Sequence, residues 1–288
     1  MTATELDIPD DPRIQVVEVA EGVGFPGVPS NAGVAAASAP FVGLLDSDDF
    51  YEDGALTSLL RLLEETGADG ALAPLRWGKE DPMLLPLTPR TSNLEPVRDR
   101  LFYRTAPLGL FRTPLMQEKD LQFDPTVPTG EDMRVTAHLF SGGHNISYCY
   151  GDPTYTVTDE ASERATLTSR PVEEEFRALS NLVNEPWVAL LPKAQREALA
   201  VKVLRVHVLG HVTDDQLRNA WQPGDFEYMA GLVRRILTLA PRALDVFVAS
   251  EQNIVEQLLA GTPETLNAAV QANETASLRK RVLPKKPW

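Results

Sequence analysis

The chain has 288 residues, of which 43% are hydrophobic and 24% are charged, with a formal net charge of -14 and a pI of about 4.8. An acidic surface of this kind argues against nucleic acid or an anionic membrane as the principal partner. The sequence has no run of eighteen apolar residues, and its one cysteine, Cys149, excludes an internal disulfide. We therefore predict a cytoplasmic protein without a transmembrane segment, or one held peripherally at the inner face of the membrane.

The first part of the chain alternates between strand and helix signals. Ile14–Val19 is alternating and β-branched, which predicts a strand, and the apolar run Phe41–Leu45 predicts a strand buried on both faces. The other predicted elements are helices Val34–Ser38, Gly54–Thr66, Pro114–Lys119 and Met133–Phe140, and strands Ala71–Trp77, Leu108–Arg112 and Ile146–Tyr150. This alternation is typical of an α/β sheet, and residues 78–100 predict a long loop within it.

From Pro171 onward the strand signals end and helical periodicity dominates. The predicted helices are Val172–Asn184, Pro192–Val212, Asp225–Leu239, Arg242–Leu259 and Pro263–Ala272. We predict two domains, an α/β domain over residues 1–168 and an all-helical module over residues 169–288. The module is predicted to serve in homo-oligomerisation or in positioning a substrate.

An acidic turn, Asp46-Ser47-Asp48-Asp49, follows the Phe41–Leu45 strand at once. In open α/β sheets ligands sit beyond the carboxyl ends of the strands, and three carboxylates gathered there repel one another unless a cation is bound. A hard divalent cation such as Mg or Mn would accept carboxylate and phosphate oxygens as ligands. The alternative is a solvated turn in which Asp49 caps the following helix. The turn alone leaves both interpretations open.

Two signatures resemble those of the family 2 inverting glycosyltransferases with the GT-A fold. The first runs from Asn31 through Phe41 to the acidic turn, and the second contains Gly109-Leu110-Phe111-Arg112, Leu121-Gln122-Phe123-Asp124 and Gly130-Glu131-Asp132. Within that family the sequence is most similar to the wall-teichoic-acid ribitol-phosphate N-acetylglucosaminyltransferases, through the loop Phe25–Asn31 and the helical module that follows. The motifs cover about residues 11–168.

The resemblance implies a donor site for a nucleotide-diphosphate sugar, with UDP as the expected nucleotide. Asp46 and Asp48 would hold a divalent cation, Mn or Mg, on the donor diphosphate and so neutralise the leaving group. Asn31 and Asp49 would contribute to donor binding. Apart from the resemblance, Arg164 is a candidate for pairing with the diphosphate directly, the alternative being a solvated charged loop.

The resemblance also implies a catalytic pair. Asp132 would be the general base that deprotonates an acceptor hydroxyl for single-displacement attack with inversion, and Glu131 would orient or bind the acceptor. The alternative for these two acids is plain capping of the helix that begins beside them.

The sequence departs from the family pattern in three places. Counterparts of the first two strand–helix units, about sixty residues that hold the uracil and ribose, are not found. Ser30 stands where relatives have an arginine, and the region of residues 155–164 lacks the histidine that relatives place near the metal. Asp159 is a candidate additional metal ligand there. The chain is therefore expected to be a fragment, to be completed by a partner, or to be degenerate, with a sheet edge that needs cover.

We predict inverting transfer of a hexose or N-acetylhexosamine to a hydroxyl of a cell-surface polymer, glycan or protein. The competing hypothesis is a catalytically inactive, glycosyltransferase-like binding or scaffold subunit. Other motifs are weaker: His207 and His211 share one face of a predicted helix and are expected to be packing residues, and Trp77 and Tyr103 are candidates for stacking on an acceptor sugar.

Overall fold

The computed structural model describes residues 8–19, 25–80, 82–83, 86, 88–158, 170–219 and 221–275. In these residues an α/β region is followed by helices only, as the sequence predicts. The α/β elements are α1 (Gly27–Ala36), β1 (Phe41–Val42), β2 (Phe50–Tyr51), α2 (Ala55–Thr66), β3 (Gly70–Leu72), β4 (Leu75–Trp77), β5 (Gly109–Arg112), α3 (Thr113–Met116), α4 (Asp132–Ser141), β6 (Ile146–Tyr148) and β7 (Tyr155–Val157).

The main sheet has four strands in the order β1-β5-β3-β6. Strand β5 runs antiparallel to both β1 and β3, and β3 runs parallel to β6. β3 is buried along its whole length, whereas β1 is only half-buried and Leu45 beyond it is 57% exposed. Because of this exposure, the prediction of a strand buried on both faces is wrong for Phe41–Leu45. Among the described residues no strand pairs with the second edge of β1.

A second, smaller sheet in the order β2-β7-β4 supports the acidic turn. The sequence predicted one strand over Ala71–Trp77, but the chain divides there into β3 in the main sheet and β4 in the smaller one. The division falls at Ala73 and Pro74, where proline has no backbone N–H to donate to a ladder. Strands β2 and β7 were not predicted because each is only two or three residues long.

The predicted strand Ile14–Val19 is wrong. This segment is irregular, and the side chains of Ile14, Val16, Val17 and Val19 are 38–49% exposed. Its alternating pattern fits a strand with one buried face, but in the described structure no neighbouring strand pairs with it.

The predicted helices of the α/β region are present, with shifted ends. α1 begins at Gly27, seven residues before the predicted start, so Ser30 and Asn31 lie inside the helix. α2 agrees closely with the prediction. It ends at Gly67, whose φ of 63° lets its N–H bond the Leu63 carbonyl.

The helical region confirms the predicted change in character. Its helices are α5 (Val172–Glu175), α6 (Arg177–Asn184), α7 (Pro186–Leu190), α8 (Lys193–Lys202), α9 (Gly210–Thr213), α10 (Asp215–Asn219), α11 (Asp225–Leu239), α12 (Ala249–Ala260) and α13 (Pro263–Glu274). Between α8 and α9 the chain continues as a π-helical segment, Val203–Leu209. None of the helices that the structure describes combines the length and apolar character of a membrane span.

A single buried cluster joins the two regions. It contains Phe111 of β5 and Leu139 of α4 together with Leu182 of α6, Leu199 of α8 and Val203 of the π-helical segment. The helical region therefore packs directly on the α/β region beside the start of α4. The predicted boundary at residues 168 and 169 lies outside the described residues, and the division into two domains stays a prediction.

Candidate active site

The acidic turn is fastened to strand β7. The Asp46 N–H donates to the Tyr155 hydroxyl at 3.1 Å, and that hydroxyl donates to Asp49 Oδ2 at 3.0 Å. Thr158 donates its N–H to Asp49 Oδ1 at 3.1 Å and its hydroxyl to the Asp48 carbonyl at 2.6 Å. The Asp49 carboxylate is thus engaged in fixing the turn, while Asp46 and Asp48 are exposed.

Neither acidic motif is a simple helix cap. Helix α2 begins after Gly54 and has no side-chain cap, so Asp49 does not cap it. Helix α4 begins after Glu131, whose side chain makes no capping hydrogen bond either. The capping interpretations of Asp49 and Glu131 therefore fail, because the hydrogen bonds that define a cap are missing at both helix starts.

The loop before α4 holds Glu131 and Asp132 in place. The Asp124 N–H donates to the Glu131 carbonyl at 2.9 Å, and Asn181 Nδ2 of α6 donates to Asp124 Oδ2 at 2.9 Å. Gly130, with a φ of 74°, makes the left-handed turn that leads into the acid pair. The start of α4 is therefore tied to the helical region by a hydrogen bond as well as by packing.

Asp46, Glu131 and Asp132 meet at one cavity of about 420 Å³. The acids come from the turn after β1 and the start of α4, and the opposite wall comes from the helical region. The residues of that opposite wall are Glu175, Phe176, Leu179, Val206, His207, His211 and Leu217. The structure thus brings together one acid of the predicted metal pair and both acids of the predicted catalytic pair.

The cavity raises the pKa of both acids of the predicted catalytic pair. Burial, the neighbouring Glu131 charge and Asp46 raise the pKa of Asp132 to about 7, while Lys202 opposes that rise. Burial and the Asp46 charge also raise the pKa of Glu131 above its ordinary value. Asp132 keeps some contact with solvent at the cavity, yet enough protein surrounds it to disfavour the charge. A carboxyl that titrates near neutral pH suits a general base.

The remaining predicted donor residues lie elsewhere. Asn31 is not among the residues that line this cavity; its amide makes two 2.9 Å hydrogen bonds with the backbone of Phe123 and so pins α1 to the loop before α4. Arg164 and Asp159 lie outside the described residues. The role of Asn31 in donor binding and the role of Arg164 stay predictions.

The helical region contributes polar groups at and beside this cavity, and Lys202 is the one that the sequence analysis did not single out. His207 lines the cavity, and its Nε2 lies 2.6 Å from the Nζ of the buried Lys202. His211 also borders the cavity, where its Nε2 accepts a 3.0 Å hydrogen bond from Trp221 Nε1. The expectation that His207 is a packing residue stays a prediction, and its contact with Lys202 is the feature that the sequence analysis lacked. A lysine within an apolar helical stretch was the signal that would have pointed to it.

The acidic turn offers only part of a metal site. Within the described residues, no group of three or more His, Cys, Asp or Glu side chains is placed to hold a metal by itself. Mg and similar hard cations are often bound by one or two carboxylates, with waters and substrate phosphates as the other ligands. Exposed Asp46 and Asp48 fit that mode, in which the donor would supply the missing oxygens.

A family match covers the acidic turn. The family described as glycosyl transferase family 2 matches residues 3–120. This match includes the acidic turn and ends before the Glu131–Asp132 pair. Poly(ribitol-phosphate) beta-N-acetylglucosaminyltransferase TarS of Staphylococcus aureus is 22% identical over 199 residues, which are 68% of this chain and 34% of TarS. Poly(ribitol-phosphate) beta-glucosyltransferase of Bacillus spizizenii is 22% identical over 246 residues, 82% of this chain and 37% of that protein. The chain spans about a third of the length of these relatives.

The fold agrees with the same relationship. The crystal structure of S. aureus TarS 1–349 in complex with UDP-GlcNAc matches with a TM-score of 0.70 at 17% identity. The match covers 87% of this chain and 72% of that one. A second TarS 1–349 crystal structure matches with a TM-score of 0.67 over 88% of this chain. The predicted GT-A-type α/β domain followed by helices is confirmed.

Proposed function

We propose that the chain is a hexosyltransferase that moves a hexose or N-acetylhexosamine from a nucleotide-diphosphate sugar to a hydroxyl, with inversion. The observation that carries the proposal is the cavity that joins Asp46 of the acidic turn to the Glu131–Asp132 pair. The relatives named above act on poly(ribitol phosphate), so we propose a hydroxyl of such a polyol-phosphate polymer as the acceptor. TarS binds UDP-GlcNAc, which supports a UDP-sugar as the donor.

Each acid has one task in this proposal. Asp46 and Asp48 would hold a divalent cation, which supplies charge neutralisation of the departing diphosphate when it is bound. Asp132 accepts the proton of the acceptor hydroxyl as the oxygen attacks the anomeric carbon, and the diphosphate leaves from the opposite face. Glu131, one residue away on the same cavity, accepts a hydrogen bond from the acceptor and orients it.

The helical region supports acceptor positioning. Phe176, Leu179 and His207 form the wall that faces the acids. An acceptor bound between the two walls would be held with its hydroxyl against Asp132 and shielded from water. Binding of this kind converts a bimolecular attack into an effectively unimolecular step. We therefore favour positioning over homo-oligomerisation as the task of these helices.

Titration calorimetry tests the donor site directly. UDP, then UDP-N-acetylglucosamine, is titrated into the purified chain with and without Mn. We expect binding that requires Mn, that is lost in Asp48→Ala and that is kept in Asp53→Ala, an exposed aspartate outside the acidic turn. Absence of binding by any nucleotide to a protein shown to be folded would exclude the enzyme hypothesis for this chain alone.

One observation favours the competing hypothesis of an inactive binding or scaffold subunit. In the described part of the chain, β1 ends the main sheet and its second edge carries no strand. Donor binding would be weakened if that side of the site is incomplete. The same calorimetry separates the hypotheses, because an inactive subunit would bind neither UDP nor UDP-sugar in the presence of Mn.

The hydroxyl of Tyr155 is predicted to tune donor affinity through the acidic turn. Tyr155→Phe keeps a fully buried ring but removes both hydrogen bonds to the turn. We expect the free energy of unfolding to fall by about 1–2 kcal/mol and the affinity for UDP with Mn to fall about tenfold. Tyr51→Phe is the matched control, because its hydroxyl contacts the carbonyls of Leu44 and Gly109 outside the turn. Equal affinity losses in both variants would contradict the prediction.

A further inference from the structure

A π-helical segment sets two residues side by side that an α-helix would separate. Lys202 ends α8 and His207 lies five residues later, within Val203–Leu209. In an α-helix, positions five apart point about 140° away from each other at 3.6 residues per turn. A π-helix bonds residues i and i+5, so both side chains fall on one face. The Lys202 Nζ and His207 Nε2 atoms are 2.6 Å apart as a result.

The pair lies against the start of α4. Lys202 is 5% exposed and packs beside Met133, Thr136 and Ala137, the first turns of the helix that Asp132 begins. His207 borders the cavity that Asp132 also borders. Burial lowers the pKa of Lys202 to about 8, and the charge of Asp132 opposes that fall.

We propose that Lys202 and His207 form a positioning pair that keeps the Asp132 carboxylate charged and aimed at the cavity. This inference rests on the proposed transferase function, in which Asp132 is the base. Neither residue touches the reacting atoms in this proposal; Lys202 acts on Asp132 through its charge, and His207 acts by fixing Lys202.

The chemistry of the pair sets the protonation of His207. An ammonium group has donors only, so His207 Nε2 accepts from Lys202 and the imidazole carries its proton on Nδ1. Burial and the Lys202 charge together lower the pKa of His207 to about 3, which keeps the ring neutral. Because His207 is neutral, it accepts the hydrogen bond from Lys202 without adding a second positive charge that would interact with Asp132.

At the cavity that Asp132 borders, three further carboxyls stand against two histidines, so a buried cation nearby affects the charge of Asp132. The charge of Lys202, at the end of α8, lowers the pKa of Asp132, and the small gap beside Lys202 also contains the buried Arg104. The other titratable groups at the cavity are Asp46 after β1, Glu131 before α4, Glu175 of α5, His207 of the π-helical segment and His211 of α9. With three further carboxyls at the cavity, loss of Lys202 would favour the protonated, inactive form of Asp132.

The kinetic test compares four variants. Lys202→Met replaces a buried charge with an apolar side chain of similar length, and replacement of buried charges by apolar groups is often tolerated by the fold. We expect kcat to fall at least tenfold with the acceptor KM within twofold, and the acid limb of the pH profile to move up by about one pH unit. Lys202→Arg should restore most of kcat, and His207→Gln should show a smaller effect in the same direction. Lys193→Met, an exposed lysine at the start of the same helix, is the matched control.

Two results would overturn the proposal. One is a rise in acceptor KM with an unchanged pH profile, which would make Lys202 a direct binder of an acceptor anion. The other is a set of Lys202→Met kinetics equal to those of Lys193→Met.

A second measurement does not depend on activity. The carboxyl carbon of Asp132, assigned by its loss in Asp132→Asn, is titrated by NMR in the wild type, His207→Gln and Lys202→Met. The midpoint should rise in both variants, most in Lys202→Met, even if the chain transfers no sugar. An unmoved midpoint in two folded variants refutes the positioning pair, whereas failure of the proposed function shows instead as a wild type without UDP binding.

Discussion

Asp132→Asn is expected to lower kcat by about a thousandfold while UDP still binds in the presence of Mn with an affinity within twofold of the wild type. General-base catalysis typically contributes 10²–10⁴ in rate, and an amide has the shape of the carboxylate without its capacity to take a proton. The acidic turn is held by Tyr155 and Thr158, not by Asp132, so donor binding should survive. Steady-state kinetics and calorimetry on the same preparation measure the two effects.

The pH profile gives the same prediction a second readout. The base must be ionised to work, and the pKa of Asp132 is raised to about 7. The wild-type kcat/KM should therefore rise as pH increases through about 7 and level off above it. Asp132→Asn should remove this limb from its residual activity, whereas Glu131→Gln should keep it. A limb that persists in Asp132→Asn would assign the base to another group.

The same raised pKa has a consequence for stability. A carboxyl whose pKa is higher in the folded state binds its proton more tightly there, so the folded state loses stability as pH rises from about 4 through 7. At pH 7.5 Asp132→Asn should raise the free energy of unfolding by on the order of 1 kcal/mol. A variant that is more stable and far less active is what a functional charge, held in an unfavourable place, predicts.

The sequence predicted the class of fold because long elements carry local signals, such as apolar periodicity and closing residues, that indicate the element and its buried face. The leucine pattern of α2 and its closing Gly67 are local signals, and both agree with the structure. The acidic turn and the Glu131–Asp132 pair were also evident as motifs, and the structure brings them to one cavity. The motifs could not show that the Asp49 carboxylate accepts a hydrogen bond from Tyr155, a partner 106 positions away in the chain.

The errors have a common physical origin. Ile14–Val19 carries strand propensity, but a strand requires a partner, and in the described structure no neighbour pairs with that segment. The alternation of apolar residues fixes which face a side chain occupies only once a sheet is present. The two-residue strands β1 and β2 are likewise set by contacts with distant segments, which no local pattern contains.

The π-helical segment explains why the lysine was missed. Helical periodicity assumes 3.6 residues per turn, and under that assumption His207 pairs with His211 and not with Lys202. One stretch of wider helix changes the register and brings Lys202 and His207 into contact. Periodicity therefore located the helix correctly but assigned the wrong partner to the histidine.

Gly109→Ala is expected to cause the largest loss of stability among the glycine substitutions considered. Gly109 lies in β5 opposite Leu72 of β3, and an added Cβ would lie far inside the van der Waals contact distance of the Ala71 carbonyl oxygen. The obstacle is backbone in the most buried strand of the main sheet, so no side-chain rotation relieves it. We expect the free energy of unfolding to fall by about 3 kcal/mol and Tm to fall by about 6–10 °C, measured by denaturant and thermal unfolding.

Gly33→Ala is the matched control for this substitution. Gly33 lies within α1, and a Cβ added there would meet no atom within 4 Å. Alanine favours a helix over glycine by about 0.5–1 kcal/mol, so this variant should be as stable as the wild type or slightly more so. If both variants lost similar stability, the cost would come from glycine replacement in general and not from the β3–β5 contact.

The expected contrast also concerns function, because β5 pairs with the strand that leads into the acidic turn. Gly109→Ala should therefore weaken Mn-dependent UDP binding even at temperatures where it remains folded, and Gly33→Ala should leave that binding unchanged.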